Sequence, residues 1–258
     1  MPELKHKIKS GQAVHGCWLN TGSAVSAEIV GMAGFDWLLL DLEHGAGSER
    51  ELLAQLQALQ GSPASPLVRV ESAARPRSQR VLDMGARGIM YPQIQSTEEA
   101  RAAVEGMYYP PHGRRGAAYM VRATGYGGDF DTYSKQLKDQ LVSMVQIETV
   151  GALKAVKEIA ALPLVDVLFV GPSDLSLALG VFGQWQHPRF EEALKATATA
   201  ARQAGKAAGV LLHRPGQYEY YYELGYRVLA CGSDATFIAS GSQAMAAELA
   251  ASRKQAAN

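Results

Sequence analysis

Cysteine is scarce. Cys17 and Cys231 are the only two in 258 residues, and neither has a second Cys or a His at metal-ligand spacing, which excludes a disulfide framework and a structural zinc cluster. They read as small buried residues in a reducing cytoplasm. Net charge of one sign is missing too: Lys plus Arg and Asp plus Glu number 25 each, so there is no basic field for nucleic acid and no acidic tail. Nowhere do about 18 apolar residues run together, and Met1 to Lys9 carries lysines without an apolar stretch behind them. The expectation is a soluble, unexported protein that meets no membrane. No G-x-x-x-x-G-K-S/T and no strand-linked G-x-G-x-x-G occurs, which argues against nucleotide cofactors. A small-molecule ligand is what these absences leave.

What the chain has in quantity is apolar residue, 47% of it, enough at this length for one large core. Apolar, often β-branched runs alternate with stretches of helical period throughout, the pattern of repeated βα units and a parallel sheet. Eight runs read as strands: Val14 to Leu19, Trp37 to Leu42, Leu67 to Val70, Gly88 to Pro92, Leu141 to Ile147, Val165 to Val170, Ala208 to Leu212 and Arg227 to Cys231. Helical patterns follow most of them, over Ser48 to Gln60, Ser96 to Met107, Gly151 to Leu162 and Arg189 to Ala204. Ser48-Glu49-Arg50-Glu51 fits a capping box, and Ser96 precedes an acidic first turn. The expected fold is an α/β (β/α)₈ TIM barrel, a single domain over residues 1–258. Tyr108 to about Thr132 is the one long irregular stretch, and segments of that length are usually functional or interfacial.

In such a barrel the active site lies at the C-terminal strand ends, which restricts the candidates. Glu148 and Asp174 close two successive strands, where two converging carboxylates repel unless a cation sits between them. A hard, oxygen-ligated divalent ion suits that pair better than zinc. For Asp174 a second reading stands, as the acidic first turn of a helix entered at Pro172-Ser173. His44 follows an apolar strand beside Asp41 and Glu43 and is a candidate general base, acting directly or through water. Asp83 in the next helix reads either as the carboxylate that orients His44 or as a solvated helical residue. Arg69, the one charge in Leu67 to Val70, needs an anion, which a substrate or a buried Asp could provide. Backbone N–H groups around Gly171 to Asp174 could bind a substrate carboxylate. The cluster Tyr218 to Tyr222 reads as packing and subunit contact, and His213-Arg214 could touch a substrate tail. No lysine ends a strand, since Lys206 precedes strand 7, so a Schiff-base mechanism lacks its nucleophile.

Taken together, GCW at 16–18, AGFDWLLLDLEHG at 33–45, PLVRV at 66–70, RVLDMGARGI at 80–89, YPPHGRRG at 109–116, VQIET at 145–149, VLFVGPSDLSLALG at 167–180 and GSD at 232–234 resemble the class II pyruvate-dependent aldolases. That family includes 2-dehydro-3-deoxyglucarate aldolase and hydroxy-oxo-heptanedioate aldolase, and the resemblance spans about Gly16 to Gly241. It implies Glu148 and Asp174 as ligands of Mg²⁺, Mn²⁺ or Co²⁺ with Gln146 beside them, and Arg69 as the group that stabilises an enolate. It further implies His44 as base with Asp83 orienting it, and the Ser173 and Asp174 amides as carboxylate holders. Trp18 would line the pocket, and Leu211 would lie where an aldehyde is selected. A homohexamer is implied as well, with the last helix, about Phe237 to Lys254, packed on a neighbouring subunit. Glu71, Tyr91-Pro92-Gln93 and His213-Arg214 depart from the family's usual residues, which puts the aldehyde in doubt and not the 2-oxo acid.

The expected activity is reversible, metal-dependent cleavage of a 4-hydroxy-2-oxo acid to pyruvate, or a close relative, and an aldehyde. Two rivals stand beside it. A metal-dependent decarboxylase of 2-oxo diacids such as oxaloacetate would pass through the same enolate, and a non-catalytic metabolite-binding barrel would not exchange pyruvate's methyl protons.

Overall fold

The computed structural model describes residues 4–256. Eight parallel strands close into a barrel in chain order: β1 (Val14–Leu19), β2 (Trp37–Asp41), β3 (Ser65–Arg69), β4 (Gly88–Tyr91), β5 (Val142–Gln146), β6 (Val167–Val170), β7 (Ala207–Leu212) and β8 (Tyr226–Ser233), with β8 pairing back onto β1. Twelve helices accompany them among the described residues: α1 (Leu4–Lys9), α2 (Ala24–Gly31), α3 (Glu49–Ala58), α4 (Arg75–Asp83), α5 (Thr97–Glu105), α6 (Phe130–Gln140), α7 (Val150–Lys154), α8 (Val156–Ala160), α9 (Pro172–Ala178), α10 (Pro188–Gln203), α11 (Tyr218–Glu223) and α12 (Asp234–Ala256). The (β/α)₈ barrel expected from the alternation is therefore present, with strand ends displaced by a few residues.

The strands read as continuous apolar runs because both of their faces are covered. Along β2, Trp37 and Leu39 enter the barrel interior with Val14, Trp18, Leu67, Met90, Met144 and Phe169, whereas Leu38 and Leu40 join the outer layer under the helices. The interior is a filled core, and Gly16 makes room for Trp37: a Cβ there would lie 2.2 Å from the Trp37 ring. At the strand-start end, α1 buries Leu4 and Ile8 against this core, and Lys5 Nζ donates to Leu141 O at 2.7 Å and Asp166 Oδ2 at 2.8 Å. There α1 covers the barrel interior, and the charged strand-end candidates lie at the other end.

Three local expectations change. The helix expected over Gly151 to Leu162 is two pieces, because Ala155 turns out of helical geometry at φ −94°, ψ 15°. The last helix starts at Asp234, three residues before the expected Phe237, because Ser233 Oγ accepts from Thr236 N and caps it there. The irregular stretch ends at α6 and includes a 3₁₀ turn over Arg122–Thr124. Among the described residues, no helix is long and apolar enough to cross a membrane.

Candidate active site

At the strand-end mouth, β2 and β3 run side by side with Asp41 opposite Arg69. This register explains how an arginine survives inside an apolar run. Arg69 Nε donates to Asp41 Oδ1 at 2.8 Å and Nη2 to Asp41 Oδ2 at 2.6 Å, a two-pronged pair, and Nη1 meets Glu43 Oε2 at 2.9 Å. Of the two partners left open by the sequence, the buried Asp is therefore present. Two of the guanidinium's five N–H bonds are used on Asp41, and Nη1 is ion-paired with Glu43, which leaves N–H bonds on Nη1 and Nη2 for a further anion. Burial alone would lower the Arg69 pKa, but Asp41, Glu43 and Glu148 outweigh it and hold it above its ordinary value. The Arg69 guanidinium also lies 5.9 Å from the centroid of Trp18, which is wedged against Trp37 and Phe169.

Beyond β2 the chain bends through residues 42–46, and Asp41 Oδ1 accepts from Glu43 N at 3.1 Å and His44 N at 3.4 Å. His44 is thus presented from a fixed loop with its side chain 66% exposed and Nε2 3.7 Å from Glu43 Oε2. Burial raises the Glu43 carboxyl, with Asp41 and Asp174 adding to the effect and Arg69 and His44 opposing it.

Two strands further round, Glu148 is buried at 2% exposure just past β5. Gln93 N donates to its Oε1 at 2.8 Å and Gln93 Nε2 to the same oxygen at 3.3 Å, while Gln146 Nε2 donates to Oε2 at 2.6 Å. Gln93 does this from a left-handed backbone, φ 54°, a conformation that costs about 1–2 kcal/mol for a residue with a Cβ. Gly171, where β6 turns into α9, has no such atom: a Cβ would lie 2.4 Å from Glu148 Oε2. Burial lifts the Glu148 carboxyl from the ordinary 4.5 to about 7; the Gln93 amide works against this, Asp174 and Glu43 reinforce it, and Arg69 opposes it. Asp174 stands in the first turn of α9, whose N-terminal residue Gly171 offers no capping side chain.

Asp41, Glu43, Glu148 and Asp174 thus share the mouth with Arg69. The site's donors are hard oxygens, and they include Gln146 Oε1, a buried acceptor with no partner among the described residues. Such a set suits Mg²⁺, Mn²⁺ or Co²⁺ better than a soft metal. No group of three or more His, Cys, Asp or Glu side chains at ligand geometry occurs among the described residues. The chain's contribution would be two carboxylates, with the remaining positions left to substrate and water.

Not every expected residue joins this cluster. Asp83 is the last residue of α4, which runs back towards the start of β4, and its Oδ1 accepts from Arg115 Nη2 at 2.7 Å. Within the protomer Asp83 therefore does not orient His44. Its partner, buried Arg115, lies between the Tyr109 and Tyr133 rings. Leu211 is half-buried on β7 against the cluster that contains Trp18, and Ser173 is exposed at the start of α9. His213 lies over the Trp185 ring, centroids 4.1 Å apart. A crevice of about 570 Å³ lies at the opposite end of the barrel, lined by Lys7, Asp36, Arg87 and Arg122 among others; no cluster of three or more His, Cys, Asp or Glu at ligand geometry occurs there among the described residues. Sequence reasoning gave no task to Asp41 or Glu43, although both stand in the DLEHG block, and none to Gln93, which it read as a peripheral departure although it holds Glu148.

Residues 15–240 match the family model described as HpcH/HpaI aldolase/citrate lyase. A 4-hydroxy-2-oxo-heptane-1,7-dioate aldolase from Klebsiella pneumoniae is 39% identical over 244 residues, covering 95% of this chain and 92% of that relative. Among solved structures, an HpcH/HpaI aldolase/citrate lyase family protein from Burkholderia cenocepacia superposes with a TM-score of 0.91 at 34% identity, over 96% of this chain and 99% of that one. An HpcH/HpaI aldolase from Desulfitobacterium hafniense gives 0.86 at 31% identity, over 95% and 97%.

Proposed function

This chain belongs to the HpcH/HpaI aldolase/citrate lyase family, and we propose that it is a carbon–carbon lyase cleaving a 4-hydroxy-2-oxo acid, reversibly, to pyruvate or a close 2-oxo acid and an aldehyde. The observation that carries this reading is the pairing, in one mouth, of buried Glu148 beside Asp174 with an arginine that keeps N–H bonds in reserve.

A divalent ion held by Glu148 and Asp174, with Gln146 beside it, would supply Lewis-acid polarisation of the substrate's oxo group. Arg69 directs its remaining N–H bonds at the oxygen where negative charge develops, the kind of preorganised donor that contributes most in a desolvated site. The first-turn amides of Ser173 and Asp174 hold the substrate carboxylate. In cleavage, His44 takes the proton from the C4 hydroxyl; the O–H pair becomes the aldehyde C=O and the C3–C4 bond breaks. The C3–C4 pair passes to the enolate, and protonation at C3 gives pyruvate. In the reverse direction the same base removes a methyl proton. Trp18 walls the 2-oxo acid side, and Leu211 contacts the aldehyde.

Free Cys17 and Cys231 support a reducing cytoplasmic setting. Residues 1–258 form one aldolase domain in this reading. Phe237, Ile238, Met245 and Leu249 on α12 are 44–63% exposed, which supports packing of that helix on a neighbouring subunit of a homohexamer. The test is deuterium exchange into pyruvate's methyl group together with a screen of 4-hydroxy-2-oxo acids. Chelation should abolish both activities and Mg²⁺, Mn²⁺ or Co²⁺ restore them. Full activity after rigorous metal removal, or carbon dioxide release from oxaloacetate as the sole activity, would overturn the reading.

A further inference from the structure

Asn20, just past β1, is joined to both arms of the site although it carries no reactive group. Its Nδ2 donates to Asp41 Oδ2 at 2.8 Å, on the carboxylate that grips Arg69. Its carbonyl accepts from Ala46 N at 2.8 Å, in the loop that presents His44. Asn20 N in turn donates at 2.8 Å to Oδ1 of Asp234, the first residue of α12, which is 1% exposed. Asp234 also accepts from Thr21 Oγ1, from Thr21 N at 3.4 Å and from Ala235 N at 2.8 Å. These bonds exceed what α12 needs for its own start, because Ser233 already caps it.

We propose that Asp234 and Asn20 are positioning residues for the arginine clamp: Asp234 fixes Asn20, and Asn20 fixes Asp41 and the His44 loop, so the geometry of Arg69 depends on how α12 is seated. The physical reason is that a two-pronged Arg–carboxylate pair is directional only if the carboxylate cannot rotate. Asp41 Oδ1 is held by Glu43 N and His44 N, and besides Arg69 the Asn20 amide holds Oδ2. Without it Asp41 can turn, and the spare N–H bonds of Arg69 lose their aim.

The inference rests on the aldolase reading for its kinetic consequence, so the experiment keeps the two apart. Asn20→Ala, Asp234→Asn and the milder Thr21→Val are compared with wild type in four measurements. Pyruvate methyl exchange should fall about 10- to 100-fold in turnover for Asn20→Ala, the usual effect of removing an outer orienting partner, with a much smaller change in KM. Oxalate, a planar dianion with the shape of the enolate, should bind more weakly by a similar factor. Mn²⁺ affinity by calorimetry and melting temperature should stay close to wild type. Arg69 should react faster with phenylglyoxal, read on its peptide by mass spectrometry, and this readout needs no turnover. If wild type exchanges pyruvate and Asn20→Ala and Thr21→Val do so equally fast with unchanged oxalate binding, the proposal is wrong. If exchange, Mn²⁺ affinity and melting temperature fall together, the residues are merely structural and the proposal is also wrong. A wild-type protein without exchange activity would sink the aldolase reading instead, and unaltered Arg69 labelling in Asn20→Ala would then overturn the positioning role independently.

Discussion

Glu148 is the group whose charge the fold has moved furthest into the neutral range. Burial, reinforced by Asp174 and Glu43 and opposed by the Gln93 amide and Arg69, carries it from 4.5 to about 7. At about 1.4 kcal/mol per pH unit, this amounts to on the order of 3 kcal/mol in favour of the neutral carboxyl. A divalent cation binds the carboxylate and must displace that proton. Metal affinity should therefore rise roughly tenfold per pH unit up to about 7 and level off above it. Calorimetric titration of Mn²⁺ into metal-free protein, in two buffers of different ionisation enthalpy, counts the protons released: about one below the midpoint and none well above it. Glu148→Gln should bind Mn²⁺ weakly at every pH and lose the slope. The sign for stability follows from the same shift. A carboxyl whose folded pKa is raised contributes stability that is fully present below about 4.5 and lost as pH rises through about 7. The melting temperature of metal-free protein should accordingly fall across that window, Glu43 acting in the same direction, and saturating metal should remove the fall. An affinity that is flat with pH, or proton release that persists in Glu148→Gln, would refute the reasoning.

Gly171→Ala places a Cβ 2.4 Å from Glu148 Oε2, so the carboxylate must move; Mn²⁺ affinity should drop about 10- to 100-fold, and wild-type affinity by calorimetry would show that Glu148 is not a ligand. His44→Ala should keep its melting temperature, because the side chain is 66% exposed, bind metal and pyruvate normally, and lose about 10² to 10⁴ in methyl exchange; exchange at the wild-type rate would remove His44 as the base. Arg69→Lys keeps the charge but cannot reproduce the planar two-pronged grip on Asp41, so exchange and oxalate affinity should both fall, and an unimpaired variant would contradict the clamp. Leu211→Ala should re-rank aldehydes by about 1–3 kcal/mol, read as kcat/KM ratios, without altering pyruvate exchange.

The strands were readable because burial on both faces writes each as an unbroken apolar run, and the helices because their caps sit where Ser48 and Ser96 stand. Glu148, Asp174, Arg69 and His44 could be picked out as charged residues at strand ends. What the sequence hid is of two kinds. Backbone donors carry no residue signature, so the Gln93 amide on Glu148 becomes visible only through its left-handed φ. Partnerships made by barrel closure cross long separations: Asn20 and Asp234 are 214 positions apart and meet because β8 closes onto β1. The partner that Asp83 has within the protomer was hidden for the same reason, since distance along the chain does not reveal that α4 carries it back to Arg115.

The interlock between Gly16 and Trp37 determines the order in which this core can change over evolutionary time. With the Trp37 ring 2.2 Å from where a Cβ on Gly16 would stand, any side chain at position 16 collides unless position 37 has already shrunk. A smaller residue at 37 would first leave a cavity, at a cost of about 3–5 kcal/mol for a lost tryptophan, which is a large part of a typical domain's whole stability. Each single step is disfavoured, the one by collision and the other by a cavity. Lineages that keep the tryptophan should therefore keep the glycine, and laboratory repacking of this barrel has to mutate the two positions together.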